Sequence, residues 1–170
     1  VSYVAMIGAL WLWKAPVPDD ALPREPLRLA IQSGLRYVAM SPNLVNVMAR
    51  AFLFGLGSVA ALSLLPVVAH ERLGGDATTY GILLGSFGVG AIGGAMANSR
   101  LRASMDNEHI VRLAALVAMA STAGLAVSPS LWLCLPALML SGAAWVVALS
   151  LFNVTVQLST PRWVVGRAIA

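Results

Sequence analysis

The sequence predicts an all-α fold, a polytopic transmembrane helical bundle, and three observations carry that prediction. Of the 170 residues 59% are hydrophobic and only 11% charged, where a soluble domain carries about 25% charge, and the mean hydropathy is +0.82. Four long apolar runs, residues 51–69, 80–97, 110–127 and 131–152, carry one charged residue between them, Arg112. The basic residues fall almost wholly on alternate connections between those runs. A globule of this size would be left with large apolar patches on its surface, and lipid contact removes the difficulty.

Residues 1–13 are apolar but too short to span, and end in Trp11, Trp13 and Lys14, the signature of the water-facing end of a membrane helix. Residues 15–26 hold Pro16, Pro18, Pro23 and Pro26 among four charges, a polar linker that cannot form a long helix. From Pro26 to Met40, Leu27, Ile31, Leu35 and Val38 recur at helical spacing opposite Arg28, Gln32 and Arg36. This is an amphipathic helix suited to the headgroup boundary, although a soluble surface helix has the same pattern. Ser41-Pro42-Asn43 ends it.

The first full span is expected at about residues 44–69, with Pro66 tolerated because neighbouring groups in a bundle satisfy the freed carbonyl. A short polar loop, 70–79, leads to the second span at 80–97, and a polar connection, 98–109, leads to the third at 110–127. Arg112 lies near that span's start, where its long side chain reaches the interface. Ser128-Pro129-Ser130 is a tight turn before the fourth span, 131–152, and residues 153–170 become polar again. Strands of about five or six residues cannot account for runs this long.

Spans place successive connections on alternating sides, so the cations can be counted by side. Lys14, Arg24, Arg28, Arg36, Arg50, Arg100, Arg102, Arg112, Arg162 and Arg167 fall on one side and Arg72 alone on the other. This is the positive-inside bias, and it assigns residues 14–49, 98–109 and 153–170 to the cytoplasm. A cation at a span centre would cost about 2.5–3.5 kcal/mol on insertion scales, and none is placed there.

Residues 80–97 admit two readings. Gly88, Gly90 and Gly93 spell G-x-G-x-x-G after an apolar run, with Glu108 downstream, the layout of a dinucleotide-binding turn. The same stretch has no charge and, at ~1.5 Å per residue, reaches roughly 27 Å, close to the bilayer's hydrocarbon thickness. As a span, its glycines are packing surface: Gly81 with Gly85, and Gly90 with Gly94, are small-xxx-small pairs. The charge bias favours the span.

Other chemistries find little support. Cations are not interleaved with stacking aromatics, which argues against nucleic-acid binding. Cys134 is the single cysteine, so no disulfide forms within one chain. Asp106, Glu108 and His109 crowd one polar stretch without a second histidine, and His70-Glu71 lacks the partner histidine of a zinc helix. No metal site, cofactor or enzymatic constellation is expected. Val1 opens directly into apolar sequence without a basic leader, which reads as an internal fragment of a longer chain.

The helix GLRYVAMSPNL, the stretch LLPVVAHERLGGDATTYGILLGSFGVGAIGGAM and the tail NVTVQLSTPRWVVGRAIA together resemble the major facilitator superfamily. They are most similar to its transmembrane secretion effector branch, which includes enterobactin-exporter-like and macrolide-efflux-like proteins. The resemblance implies a twelve-helix secondary transporter of two six-helix halves. Residues 1–13 would end helix six, 14–43 would be the cytoplasmic inter-half linker carrying the amphipathic helix 26–40, and 44–170 would hold helices seven to ten and the entry to helix eleven. The chain is then a C-terminal-half fragment. Its expected partners are the bilayer, a small-molecule substrate, the N-terminal six-helix half and helices eleven and twelve.

The same resemblance implies that helices seven and ten line a central cavity, which makes Ser58, Ser63, Ser141, Trp145, Ser150 and Asn153 substrate-cavity candidates. The family's loop between helices eight and nine has a glycine, an acidic residue four positions on, then cations. Gly94, Arg100 and Arg102 match, but Asn98 stands in the carboxylate's place, which weakens the inter-half charge lock. These four, with Gln157 and Arg167, are the cytoplasmic gating candidates. No acidic residue or histidine lies inside the spans, so a proton relay is expected elsewhere.

The function these features support is export of a small hydrophobic molecule, siderophore or drug-like, across a bacterial inner membrane by alternating access. Two alternatives belong to other classes: a tetraspan assembly or packing subunit, and a soluble NAD-binding oxidoreductase built on GVGAIG.

Overall fold

The computed structural model describes residues 2–12, 26–128 and 130–159, and every regular element among them is a helix. The chain divides into two units, Val1–Ser33 and Gly34–Ala170.

The first unit holds α1 (Ser2–Leu12) and the opening turns of α2 (Leu27–Met40). At 11 residues α1 extends about 16 Å, too short to cross a membrane by itself. Along α2 Arg28, Gln32 and Arg36 form one exposed stripe, and Ile31 and Leu35 an exposed apolar edge beside it. The Ser33 hydroxyl is spent within the helix, donating to the Leu29 carbonyl at 2.8 Å.

The second unit is a bundle organised around its last helix. α3 (Pro42–Ser63) starts at a proline, which fits the first helical turn because no N–H is needed there. Pro66 has no N–H to return to the Leu62 carbonyl, and the helix breaks just before it, at Leu64. It resumes as the short α4 (Leu65–Val67) and widens into a π turn, Val68–Arg72, closed by the Leu73 N–H on the Val68 carbonyl at 3.2 Å. Gly74, at φ +59°, turns the chain in the left-handed region that a side chain would resist.

Asp76 then caps α5 (Ala77–Ser104), accepting from the backbone N–H groups of Thr78 at 3.0 Å and Thr79 at 3.1 Å. Those hydrogen bonds, Thr79's foremost, hold the Asp76 carboxyl below its ordinary pKa. α6 (Asn107–Val127) and α7 (Leu131–Ser159) complete the unit. Four helical stretches, Pro42–Arg72, Ala77–Ser104, Asn107–Val127 and Leu131–Ser159, are long and apolar enough to cross a membrane.

α7 packs against α3, α5 and α6 alike. Of its most apolar window 39% is buried, against 6% for Pro42–Arg72. The two are almost equally hydropathic, so position rather than composition makes α7 the hub. Leu65, Leu83, Leu125, Cys134 and Leu138 form the core at one end, and Ala114, Ala144, Ala148 and Phe152 the core toward the other.

The α5–α7 contact is a backbone approach. A Cβ on Gly90 would overlap the Met139 carbonyl, one on Gly94 would lie 2.6 Å from the Ala143 oxygen, and one on Gly142 would overlap the Phe87 carbonyl. Glycine at these three positions therefore sets the interhelical distance. Gly81 and Gly85 meet nothing within 4 Å and lie off this contact.

The span reading of residues 80–97 holds, and one boundary is revised. Gly88, Gly90 and Gly93 sit inside the unbroken 28-residue α5, with no strand before them among the described residues. A pyrophosphate turn needs strand, turn and helix N-terminus in succession, so these three glycines do not form one. The polar stretch 98–109 is mostly helical, because nothing in Asn98–Ser104 breaks a helix: α5 runs on to Ser104, leaving Met105 and Asp106 as the connection. α7 likewise continues past Phe152 to Ser159.

Candidate functional site

A cleft of about 410 Å³ opens between α3, α6 and α7. It exists because the facing side chains are small: Gly57 and Ser58 on α3, and Ala115, Ala118, Thr122 and Ala126 on α6, with Ser141 of α7 also lining it. Its polar groups are already committed within their own helices. Ser58 Oγ donates to the Phe54 carbonyl at 2.9 Å and Thr122 Oγ1 to the Ala118 carbonyl at 2.9 Å. Both hydroxyls have used their proton, so they present oxygen lone pairs to the cleft and act as acceptors.

Leu53, Phe54 and Ala115 also border a second cavity of about 490 Å³, so the two share these walls. Its far wall is ionic. Arg50 Nη1 lies 2.7 Å from Glu108 Oε2, and Arg112 places Nε and Nη2 each 3.1 Å from Glu108 Oε1. One carboxylate thus joins α3 to α6 at the edge of an otherwise largely apolar cleft, and all three side chains stay partly exposed.

Phe54 forms the cleft's aromatic wall. It stacks on Trp145 of α7, with centroids 5.9 Å apart and planes at 16°, and meets Phe152 edge-on at 6.1 Å. Such geometry adds about 0.5–1.5 kcal/mol beyond area burial.

The sequence-derived cavity candidates are distributed unevenly around this cleft. Ser58 and Ser141 line it, and Trp145 backs it through Phe54. Ser63 is exposed elsewhere on α3 and donates to the Val59 carbonyl at 2.8 Å. Ser150 turns to α5, accepting from Asn98 Nδ2 at 2.8 Å, and Asn153 donates to the Leu149 carbonyl at 3.0 Å. Gln157 is exposed near the end of α7, and Arg167 lies outside the described residues.

Arg100 and Arg102 are exposed near the C-terminal end of α5, with no ion pair among the described residues. Glu108 and Thr122 are site residues that sequence reasoning does not reach. The Glu108–Arg112 spacing of four is a visible helical pair, but nothing near Arg50 in sequence points to a carboxylate 58 residues away.

Helix packing sets Arg50, Arg100, Arg102 and Arg112 at one end of the bundle and Arg72 at the other. There Arg72 Nη1 donates to the Ala126 carbonyl at 2.6 Å, at the C-terminal end of α6, where helix carbonyls lack partners and the macrodipole favours a cation.

A family model described as transmembrane secretion effector matches residues 1–170. Neither curated proteins nor solved structures offer a match to the chain.

Proposed function

Because the chain belongs to the transmembrane secretion effector family, multi-pass membrane transporters of the major facilitator superfamily, we propose that it exports a small, moderately hydrophobic molecule, siderophore or drug-like, by alternating access, and that the α3–α6–α7 channel is part of the substrate's path. The supporting observation is the channel's division of labour: an apolar shaft with acceptor hydroxyls at Ser58 and Thr122, an aromatic wall at Phe54, and an ionic edge at Arg50–Glu108–Arg112. Such a lining suits a ligand that is mostly hydrocarbon with one or two N–H or O–H donors.

On this reading residues 14–49, 98–109 and 153–170 face the cytoplasm of a bacterial inner membrane, where the cations congregate. The chain itself performs no covalent chemistry; its work is binding a ligand and moving it. Arg100, Arg102, Asn98 and Gln157 act at the cytoplasmic end, where loops and helix ends close the path.

The test is efflux of a neutral lipophilic fluorescent dye from cells expressing the chain within the twelve-helix transporter of which this reading makes it a part. Expression is expected to speed efflux over vector control. Gly57→Phe and Ser58→Phe, which fill the channel, are expected to remove most of that gain, while Gly85→Ala leaves it unchanged. Efflux equal to the control sinks the exporter reading; efflux that survives both filled variants sinks the channel's role in it.

A further inference from the structure

The stretch Pro42–Arg72 packs near its two ends and stands off between them. Toward its start Val47, Ala51 and Phe54 lie against the core of Ala114, Ala144, Ala148 and Phe152. Past the break at Leu64, Leu65 and Ala69 are buried in the core at the other end. Between these anchorages a Cβ on Gly55 or Gly57 would meet nothing within 4 Å, and Gly57 and Ser58 face the small side chains of α6 across the cleft of about 410 Å³. Only 6% of the stretch's most apolar window is buried, so packing does little to fix the distance between α3 and α6 there.

Toward each end an exposed arginine crosses to α6. Arg50 Nη1 lies 2.7 Å from Glu108 Oε2, in the first turn of α6, and Arg72 Nη1 donates to the Ala126 carbonyl at 2.6 Å, in its last turn. The two ties therefore stand about 27 Å apart along that helix. Both belong to the cleft's surroundings: Ala126 lines it, and Arg50 and Glu108 line the cavity that shares Leu53, Phe54 and Ala115 with it. The break at Leu64 and the π turn ending at Arg72 separate that end from α3, so α3 by itself does not dictate where Arg72 sits.

Building on the reading of the cleft as part of the substrate's path, we propose that Arg50 and Arg72 are positioning residues for ligand binding. Each fastens one end of the stretch to α6, and together they fix the spacing of the two walls that a bound molecule touches at once. Helix faces made of small residues otherwise close on each other in a membrane, because close backbone approach is what stabilises such pairs. A cleft that closes or widens loses its fit to a ligand of given size, since such sites work by burying most of the ligand's surface. Neither arginine has to touch the ligand to have this effect.

The test measures Kd by fluorescence anisotropy for a series of neutral lipophilic dyes that differ only in the bulk of one alkyl group. The protein is the purified twelve-helix transporter of which that reading makes the chain a part, held in detergent. The wild type is expected to prefer one size. Arg50→Ala and Arg72→Ala are each expected to weaken the preferred dye several-fold and to change the order of preference within the series. Arg50→Lys and Arg72→Lys, which keep a cation within reach of the same acceptors, are expected to keep the wild-type order. Glu108→Gln loosens the first tie from the α6 side and is expected to shift the order as Arg50→Ala does, which serves if Arg50→Ala does not fold. A wild type that binds no member of the series overturns the channel reading, and the positioning role with it. Binding that no variant alters overturns the positioning role alone, as does a loss that is uniform across the series, the mark of a merely structural effect.

Discussion

Asn98 Nδ2 donates to Ser150 Oγ at 2.8 Å, tying α5 to α7 where the superfamily's pattern places a carboxylate. The amide turns inward, toward the bundle's own hub helix. Its Oδ1 is buried without a hydrogen-bond partner among the described residues, so the side chain is half satisfied. That asymmetry orders the effects of deletion. Ser150→Ala strands the whole buried amide and is expected to destabilise more than Asn98→Ala, which removes the unsatisfied oxygen too and frees Ser150 to bond back to its own helix. Asn98→Ala is expected to lose about 0.6 kcal/mol, and the double variant to match Asn98→Ala rather than the sum. Unfolding in mixed detergent measures all three; additive losses would show that the pair is not coupled.

The glycines of α5 and α7 divide into two classes that substitution separates. Gly90→Ala puts a methyl group into the Met139 backbone, and Gly142→Ala puts one into that of Phe87. Backbone cannot yield as a flexible side-chain end does, so each is expected to destabilise by about 1–3 kcal/mol. Gly81→Ala and Gly85→Ala meet open space and are expected to stay within about 1 kcal/mol of wild type, on the stabilising side, by relieving glycine's poor helix propensity. The same detergent unfolding series reads both classes, and a uniform response across the four sites would contradict the close α5–α7 approach.

These same residues mark what is legible in the sequence. The four spans and the one-sided cations are legible because bilayer thickness and insertion energetics act on a single chain segment at a time. Gly90 and Gly94 are visible as a small-xxx-small pair, but so are Gly81 and Gly85, and periodicity cannot say which pair a neighbour approaches. Gly142, alone in its stretch of α7, carries no local signal at all. The continuation of α5 through Asn98–Ser104 is hidden because polarity marks where a helix leaves lipid, not where it stops. The Arg50–Glu108 contact depends on α3 and α6 lying side by side, which is tertiary information.

That contact makes a prediction about charge rather than residue type. Arg50→Glu sets a second carboxylate against Glu108 and is expected to lower the thermal midpoint, more at low salt than at high salt. Adding Glu108→Lys is expected to restore part of the loss by giving the new carboxylate on α3 a cation to pair with, although Arg112 then faces a like charge. If the single and double variants melt alike at low salt, the ionic edge contributes nothing to holding α3 beside α6.

The N-cap of α5 predicts a dependence on pH at the opposite end of the bundle. Asp76 accepts from Thr78 and Thr79, and these hydrogen bonds hold its carboxyl below the ordinary value of 3.8. A carboxylate with a lowered folded-state pKa stabilises the fold above its unfolded-state value, and that contribution is lost as pH falls through the folded-state value. Acidification below about pH 4 is therefore expected to loosen the first turn of α5 in the wild type. Asp76→Asn keeps a capping oxygen without a titrating proton, so its α5 N-terminus is expected to lose this pH dependence while remaining close to wild type at neutral pH. Hydrogen exchange at Thr78 and Thr79, followed from about pH 6 to about pH 3 and corrected for the intrinsic rate, checks both parts. Equal acid sensitivity in the two proteins would remove Asp76 as its source.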